Sequence, residues 1–349
     1  MLKRPPFGWS EYADMELSTQ VLLAAAHARG LHIEVLDRGS NTVRLSQETR
    51  KGAHKGTHSE IVIQATKTSA DTYLCTELMA LKKVSKQLLS EAGLRVPQGR
   101  DYSTVSAALA DWNEGQLDFA SGLVVKPNST NYGLGISQVP PAATRAAFQA
   151  ALETAFRHDQ CVLVEEFIPG NEYRFLVIAG RLQAVLQRVP ANVVGDGSHS
   201  IAQLLEEKNR DPWRSGPQGG HRSPLERLEL NEPELAVLRE RGLTPSSVPP
   251  NGERVFLRHN SNISTGGDSI DKTSEAHTGY KQLAERCAQT LGAAICGVDL
   301  ITADLTAPPT QTGHAIIEAN FNPVLYFHEY PAEGRPRPVA AAVLDLLFD

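Results

Sequence analysis

Long apolar runs are absent from this sequence. The longest stretches, such as residues 21–26, fall far short of the roughly 20 residues that a membrane-spanning helix needs. The first residues of the chain are also not followed by the apolar core of a secretory signal. We therefore expect a cytoplasmic protein that has no membrane partner.

Cysteine is scarce, and the cysteines are well separated in the sequence. The four cysteines are Cys75, Cys161, Cys287 and Cys296, and no two of them form a CxxC pair. Zinc and thiol-redox sites commonly use such pairs, whereas isolated cysteines in apolar surroundings are typical of buried free thiols. We expect free thiols here, without disulfides or a zinc site.

A strong net charge of either sign is lacking as well. The 34 basic and 40 acidic residues leave a net charge of −6. A protein with this balance has no overall field that attracts nucleic acid. We expect no nucleic-acid partner, and any polyanion must be bound by a local cluster of side chains.

What is present is an ordinary globular composition with alternating helix and strand patterns. The 349 residues, 41% hydrophobic and 21% charged, are enough for two or three lobes with cores of their own. Helical periodicity and strand alternation both recur along the chain, which predicts an α+β fold. The clearest helical patterns are at residues 18–29, 78–92 and 274–292, and the clearest strands are at residues 31–36, 122–127, 173–179 and 181–189.

Two apolar runs near the end of the chain each lead into hard oxygen ligands. Residues 294–298 precede Asp299, and residues 315–317 precede Glu318 and Asn320. Glu318 and Asn320 are two apart, so they share one face of a strand. Two carboxylates and an amide suit Mg²⁺, although acids that merely end strands at the surface would give the same pattern.

A second set of residues has the chemistry of a phosphate site. Lys126 ends a strand and is followed by a polar loop that contains Gly133 and Gly135, whose backbone could approach phosphate oxygens closely. Lys82 and Lys86 lie four apart on one helix face. The loop is neither a Walker A nor a GxGxxG motif, so a plain hairpin turn and a solvated helix face remain alternatives.

Two further segments carry candidate binding groups. The stretch from Glu165 to Glu172 could offer backbone groups to an adenine edge and a carboxylate to a ribose, or it could be a simple connection between strands. Arg258 ends another strand and opens into residues 259–268, which are dense in hydrogen-bond donors. Arginine can grip a carboxylate or phosphate with two parallel hydrogen bonds, and a solvated linker is the alternative here.

In order and spacing, these features resemble the ATP-grasp superfamily of carboxylate–amine ligases. The sequence is most similar to the glutathione synthetase module of bifunctional glutamate–cysteine ligase/glutathione synthetases, and cyanophycin synthetase carries a looser version. The resemblance spans about residues 15–348, and its most specific segments are residues 126–135, 188–197, 258–271 and 318–323. The glutamate–cysteine ligase half that precedes this module in those proteins is absent here, so we expect first-step activity to be missing.

The resemblance implies roles for the matched residues. Metal ligands for two Mg²⁺ ions, with Mn²⁺ as a substitute, would be Asp299, Glu318 and Asn320. ATP would be held by Lys82, Lys126, Asn131, Gly133, Gly135, Glu165, Glu166, Ile168 and Glu172, with Lys86 as the alternative to Lys82. Oxyanion stabilisation would come from Arg258, Ser264, Gly266 and Gly267, and acid-substrate binding from Arg188, Arg258, Asn260, Ser261 and Asn262.

The resemblance also implies a fold and a reaction. We expect an α+β ATP-grasp fold with a reduced N-terminal lobe at residues 1–77, a central and lid lobe at 78–190, and a C-terminal metal and substrate lobe at 191–349. The expected reaction joins glycine to γ-glutamylcysteine through an acyl phosphate. A ligase for another dipeptide or metabolite and a non-catalytic nucleotide-binding subunit are the alternatives, and assembly as a homodimer is left open.

Overall fold

The computed structural model describes residues 4–47, 60–130, 133–214, 216 and 220–348. The chain forms two compact units, each assembled from separate stretches of sequence. Unit 1 comprises Met1–Ala70, Gln183–Ser274 and Asn322–Asp349, and unit 2 comprises Asp71–Leu182 and Glu275–Phe321. Mixed helices and sheets in both units confirm the expected α+β class.

The helices and strands are numbered in chain order over the described residues. The α-helices are α1 (Leu17–Ala28), α2 (Tyr73–Ala80), α3 (Lys82–Glu91), α4 (Val105–Asn113), α5 (Arg145–Phe156), α6 (Ile201–Lys208), α7 (Glu232–Glu240), α8 (Thr278–Leu291), α9 (Tyr326–Glu329) and α10 (Val339–Phe348). The strands are β1 (His32–Asp37), β2 (Thr42–Ser46), β3 (Glu60–Gln64), β4 (Gly99–Tyr102), β5 (Leu123–Pro127), β6 (Ser137–Val139), β7 (Val162–Glu166), β8 (Asn171–Ile178), β9 (Arg181–Val189), β10 (Asn192–Val194), β11 (Arg254–Phe256), β12 (Asp268–Asp271), β13 (Ile295–Thr302) and β14 (His314–Asn320).

Unit 1 combines an antiparallel sheet, two short antiparallel pairs and several helices. Strands β1, β2 and β3 form the sheet in sequence order, and α1 packs against α10. Strand β10 pairs with β11, and β12 pairs with the part of β9 that belongs to this unit. Side chains of β10, β11, α6 and α7 share one core, in which Val193, Leu238 and Leu257 are buried. This core fixes the strand that leads into Arg258.

A buried charge cluster ties β12 to the rest of unit 1. Asp268, 8% exposed, accepts hydrogen bonds from Lys208 at 2.6 Å, from Asn192 at 2.9 Å and from Arg214. Burial alone would raise the pKa of Asp268, but the charges of Lys208 and Arg214 outweigh burial and hold it below its ordinary value. Ionised Asp268 therefore stabilises the fold at pH values above the pKa that this carboxyl has in the unfolded chain.

Unit 2 contains two antiparallel sheets, each covered by helices. The first has the order β4-β7-β5-β6, and α4 and α5 pack on it through a core that includes Phe148 and Leu152. In the second, β13 lies between β8 and β14, and α2, α3 and α8 pack against these strands. The candidate metal residues and the candidate phosphate-binding lysines lie on these elements.

One helix expected from the sequence is two helices in the structure. The pattern at residues 78–92 predicts a continuous helix, but Leu81 has an extended backbone (φ −99°, ψ 91°) that separates α2 from α3. The break gives α3 its own N-terminus, where the backbone N–H of Lys83 donates to the side chain of Asn128 at 2.9 Å. Periodicity alone did not reveal the break, because Leu81 continues the apolar pattern.

The units also differ in outline from the three contiguous lobes expected from the sequence, since each unit is discontinuous along the chain. The three-lobe division stays a prediction. Within the described ranges, no helix combines the length and apolarity that crossing a membrane requires.

Replacing Asp268 tests the charge cluster of unit 1. Asp268→Asn leaves Lys208 and Arg214 without their carboxylate, and breaking a buried ion pair in this way typically costs about 3–5 kcal/mol. We expect this loss in the free energy of unfolding in urea at neutral pH. The difference from wild type should shrink as the pH falls through the lowered pKa of Asp268, because the wild-type carboxylate then becomes neutral.

Glu207→Gln is the matched control, since Glu207 pairs with Arg210 and both side chains are 67% exposed. Exposed ion pairs contribute little to stability, so this variant should have nearly the same free energy of unfolding as wild type. An equal decrease in the free energy of unfolding in the two variants would contradict the stabilising role of the Asp268 cluster.

Candidate active site

Three charged residues form a row across the second sheet of unit 2. Asp299 on β13 lies directly opposite Arg174 on β8 and Glu318 on β14. Directly opposed residues project to the same face of a sheet, so the strand register gathers the two predicted metal carboxylates. Asn320 completes the set, because its Nδ2 donates to Asp299 Oδ2 at 3.2 Å.

Arg174 is a member of this site that the sequence reading missed. Its Nη2 donates to Asp299 Oδ2 at 2.8 Å, and its Nε donates to Oδ1. Asp299 is 1% exposed. Burial lowers the pKa of Arg174, but the Asp299 carboxylate outweighs burial and raises it overall. The available signal was a lone arginine in the otherwise apolar run 173–178, placed on the same face as Glu172.

The oxygen groups fit a divalent cation by their chemistry. Two carboxylates on paired strands and the amide of Asn320 are ligand types that Mg²⁺ accepts. Protein cations hold both carboxylates, Arg174 on Asp299 and Lys82 on Glu318 at 3.1 Å. Over the described residues, no cluster of three or more His, Cys, Asp or Glu is arranged to hold a metal, so the amide is an essential part of the predicted set.

Two further lysines share one buried carboxylate. Lys126 lies 2.8 Å from Glu165 Oε2, and Lys86 donates to Glu165 Oε1. The three residues are each less than 9% exposed. Burial, followed by the charge of Lys126, lowers the pKa of Lys86 to about 7. Burial also acts on Lys126, but Glu165 outweighs it and raises the pKa of Lys126, so Lys126 is the lysine that stays charged.

The structure thus gives Lys82 and Lys86 different surroundings. Lys82 donates to the backbone oxygen of Thr130, in the polar loop, and pairs with Glu318. Lys86 instead pairs with Glu165. Lys82 is therefore the helix lysine that joins the loop to Glu318, and its contact with ATP phosphates stays a prediction.

The residues expected around the nucleotide base have protein partners. The Glu165 carboxylate is held by the two lysines, and Glu166 accepts from Arg95 and from the N–H of Gln98, both at 2.9 Å. Ile168 is 7% exposed, and Glu172 lies on β8 opposite Ile301. Their predicted contacts with adenine and ribose remain predictions.

The base of the polar loop is anchored to its surroundings. Asp159 Oδ2 accepts from the N–H of Ser129 at 2.8 Å and from its hydroxyl at 2.6 Å. Gly133 and Gly135 have left-handed backbones, with φ of 76° and 75°. A Cβ at Gly135 would lie 2.8 Å from Pro127, so a larger residue is excluded there by space as well. Asn131 lies outside the described residues.

The candidate substrate residues lie in unit 1. Arg258 follows β11 and donates through Nε to the carboxylate of Glu234 in α7. Arg188 lies on β9 opposite Ser269. Ser261 is 8% exposed, and Asn260 accepts from the hydroxyl of Thr265 at 3.1 Å.

The segment that follows Arg258 folds on itself. Asn262 Oδ1 accepts from the N–H of Ser264 at 3.1 Å and begins a short 3-10 helix at Ile263–Thr265. Gly266 has a φ of 93°, and a Cβ at Gly267 would lie 2.7 Å from the carbonyl oxygen of Val189. Both glycines are needed for this turn. Backbone geometry is therefore enough to explain why glycine occupies both positions, and the part of these glycines in oxyanion stabilisation stays a prediction.

Comparison with known proteins finds similarity to an ATP-grasp-like domain and to glutathione-biosynthesis proteins. Residues 13–74 match a family model described as an ATP-grasp-like domain. The glutathione biosynthesis bifunctional protein GshAB of Clostridium perfringens is 43% identical over 99% of this chain, which covers 43% of that protein. The GshAB protein of Listeria innocua is 45% identical over 96% of the chain, which covers 42% of it.

A solved structure agrees with these relatives. The crystal structure of a bifunctional glutathione synthetase from Pasteurella multocida is 42% identical, with a TM-score of 0.72, and the match covers 98% of this chain and 45% of that one. The chain spans less than half the length of the relatives that it matches. Since the similarity extends over nearly all of the present chain, the chain has the ATP-grasp fold and is similar to part of the bifunctional glutathione-biosynthesis proteins.

Proposed function

We propose that the chain is an ATP-dependent carboxylate–amine ligase that joins glycine to γ-glutamylcysteine. The observation that supports this most directly is the row of Arg174, Asp299 and Glu318, with Lys82 beside it. These groups combine carboxylates for a metal with cations for phosphate oxygens. The names of the relatives, which concern glutathione biosynthesis, support the choice of substrates.

Unit 2 would hold ATP and the metal. Asp299, Glu318 and Asn320 would bind Mg²⁺, in two ions for which Mn²⁺ substitutes, and the bound metal supplies positive charge that offsets the phosphates. Lys82 and Lys126 would add fixed positive charge as a substrate carboxylate attacks the γ-phosphoryl group. ADP would leave, and the substrate would become an acyl phosphate.

The second step is attack by an amine. The glycine nitrogen would add to the acyl carbonyl, and inorganic phosphate would leave as the amide forms. Arg258 would bind the acid substrate and offset charge on the oxyanion, assisted by the backbone of residues 264–267. Because acyl phosphates hydrolyse in water, the loop at residues 128–136 would cover the nucleotide before reaction.

The remaining expectations belong to the same proposal. We assign the lid to the 78–190 lobe and the metal ligands to the 191–349 lobe. Small-molecule acids and amines would be the partners, in the cytoplasm, with a homodimer as the assembly to be tested. A non-catalytic nucleotide-binding subunit is disfavoured because the predicted metal ligands Asp299, Glu318 and Asn320 and the lysines Lys82 and Lys126 are all present, whereas a non-catalytic relative would be free to lose them.

A substrate panel tests the reaction. We expect ADP release with γ-glutamylcysteine plus glycine, and little with D-alanine or with arginine plus an aspartyl peptide. The measurement is coupled ADP release at saturating Mg²⁺ and ATP. Turnover with another acid but none with γ-glutamylcysteine would overturn the substrate assignment and retain the ligase chemistry, whereas ATP binding without turnover on any pair would favour the non-catalytic alternative.

Glu318→Gln tests the metal carboxylate. The amide removes a negative ligand but keeps nearly the same volume, so we expect ADP formation to fall at least a hundredfold in Mg²⁺ while the thermal midpoint changes little. Glu153→Gln, on the exposed face of α5, is the control and should keep wild-type turnover. Retention of more than a few per cent of activity in Glu318→Gln would contradict the assignment.

Hydrogen exchange tests the lid. With a non-hydrolysable ATP analogue, amide exchange at residues 133–136 should slow by about tenfold or more, because the analogue would order the loop. The amide of Ser129 is an internal control, since it donates to Asp159 without nucleotide and should be protected in both states. Identical exchange at residues 133–136 with and without the analogue would reduce the loop to an ordinary turn.

A further inference from the structure

The two carboxylate oxygens of Glu234 in α7 accept hydrogen bonds from different groups. Its Oε2 accepts from the backbone N–H of Asn231 at 3.1 Å, which caps the N-terminus of the helix. Its Oε1 accepts from Arg258 Nε. The Glu234 side chain is 6% exposed, so both hydrogen bonds are shielded from water.

This arrangement sets the orientation of Arg258. The guanidinium group is planar, so a hydrogen bond at Nε largely fixes the direction in which its terminal nitrogens point. Among the residues that the structure describes, neither terminal nitrogen of Arg258 has a hydrogen-bond partner, and the side chain is 25% exposed. The two terminal nitrogens form an edge suited to a bidentate contact with a carboxylate.

The backbone on either side of Arg258 is fixed as well. Leu257 is fully buried, and its N–H donates to the carbonyl of Ala191 at 2.7 Å. His259 lies 2.8 Å from Glu240, which belongs to the same helix as Glu234. Helix α7 thus contacts two successive residues of this segment, and Leu238 packs in the core that contains Leu257.

We propose that Glu234 is a positioning residue for the acid substrate, which acts by holding the guanidinium of Arg258 so that its terminal nitrogens face a substrate carboxylate. The proposal rests on the function proposed above and adds a residue that does not itself contact substrate. A residue that only caps the helix would affect stability and leave KM unchanged. Capping and positioning therefore predict different experimental results.

Glu234→Gln separates these roles by kinetics. A glutamine can keep one of the two hydrogen bonds but loses the charge that pairs with Arg258. We expect KM for γ-glutamylcysteine to rise about tenfold, with KM for ATP within about twofold of wild type. Arg258→Ala should raise the same KM at least as much, and Arg258→Lys should not restore it, because a point charge lacks the planar fork.

The double variant gives the decisive comparison. If Glu234 acts through Arg258, Glu234→Gln should change KM for γ-glutamylcysteine by less than twofold when Arg258 is already alanine. Glu232→Gln is the matched control in the same helical turn, since Glu232 is 75% exposed and pairs with Arg239, and it should leave KM unchanged. Asn231→Ala removes the cap side chain and its hydrogen bond to Glu229, neither of which involves Arg258, so it should lower the thermal midpoint without changing KM.

The outcomes distinguish this role from the proposed function. A tenfold rise in KM that persists in the Arg258→Ala background, or an equal rise in KM for ATP, would overturn the positioning role in an enzyme that is otherwise active. A change in thermal midpoint alone would reduce Glu234 to a helix cap. Absence of turnover by wild type with γ-glutamylcysteine and glycine would overturn both the function and the inference that rests on it.

Discussion

Charge removed from water is the constraint on which the candidate site depends. Lys86, Lys126 and Glu165 are buried together, and an isolated ion in such a place would be strongly destabilised. Two ammonium groups on one carboxylate leave the cluster with more positive than negative charge. Burial, together with the charge of Lys126, lowers the pKa of Lys86, and loss of one proton would restore the balance of charge. A polyphosphate would offer another way to balance the same charges.

The same principle applies to the carboxylates in the neighbouring sheet. Arg174 pairs with Asp299 and Lys82 pairs with Glu318, so each carboxylate has a cationic partner within the protein. The cations would then be redistributed when phosphates and metal arrive, because each cation can pair with phosphate oxygen instead.

Much of this site could be predicted from the sequence, for reasons that are local. A strand with period two places Glu318 and Asn320 on one face, and an apolar run that ends in Asp299 predicts a buried strand. Arg174 and Glu234 could not be predicted in this way. Their roles depend on partners 125 and 24 residues away, which only the strand register and the packing of α7 bring into contact. The break at Leu81 was equally hidden, because it depends on Asn128 accepting the backbone N–H groups of α3.

The discontinuous build of unit 1 has a consequence for how the protein is made. Helix α1 packs against α10, and between them in sequence lie all of the residues of unit 2. During synthesis the part of α1 that packs against α10 therefore stays uncovered until α10 has been made. Unit 2 is completed earlier, since its last residue is Phe321. Nascent chains stalled before α10 would expose apolar surface and recruit chaperones, whereas their unit 2 could already be folded.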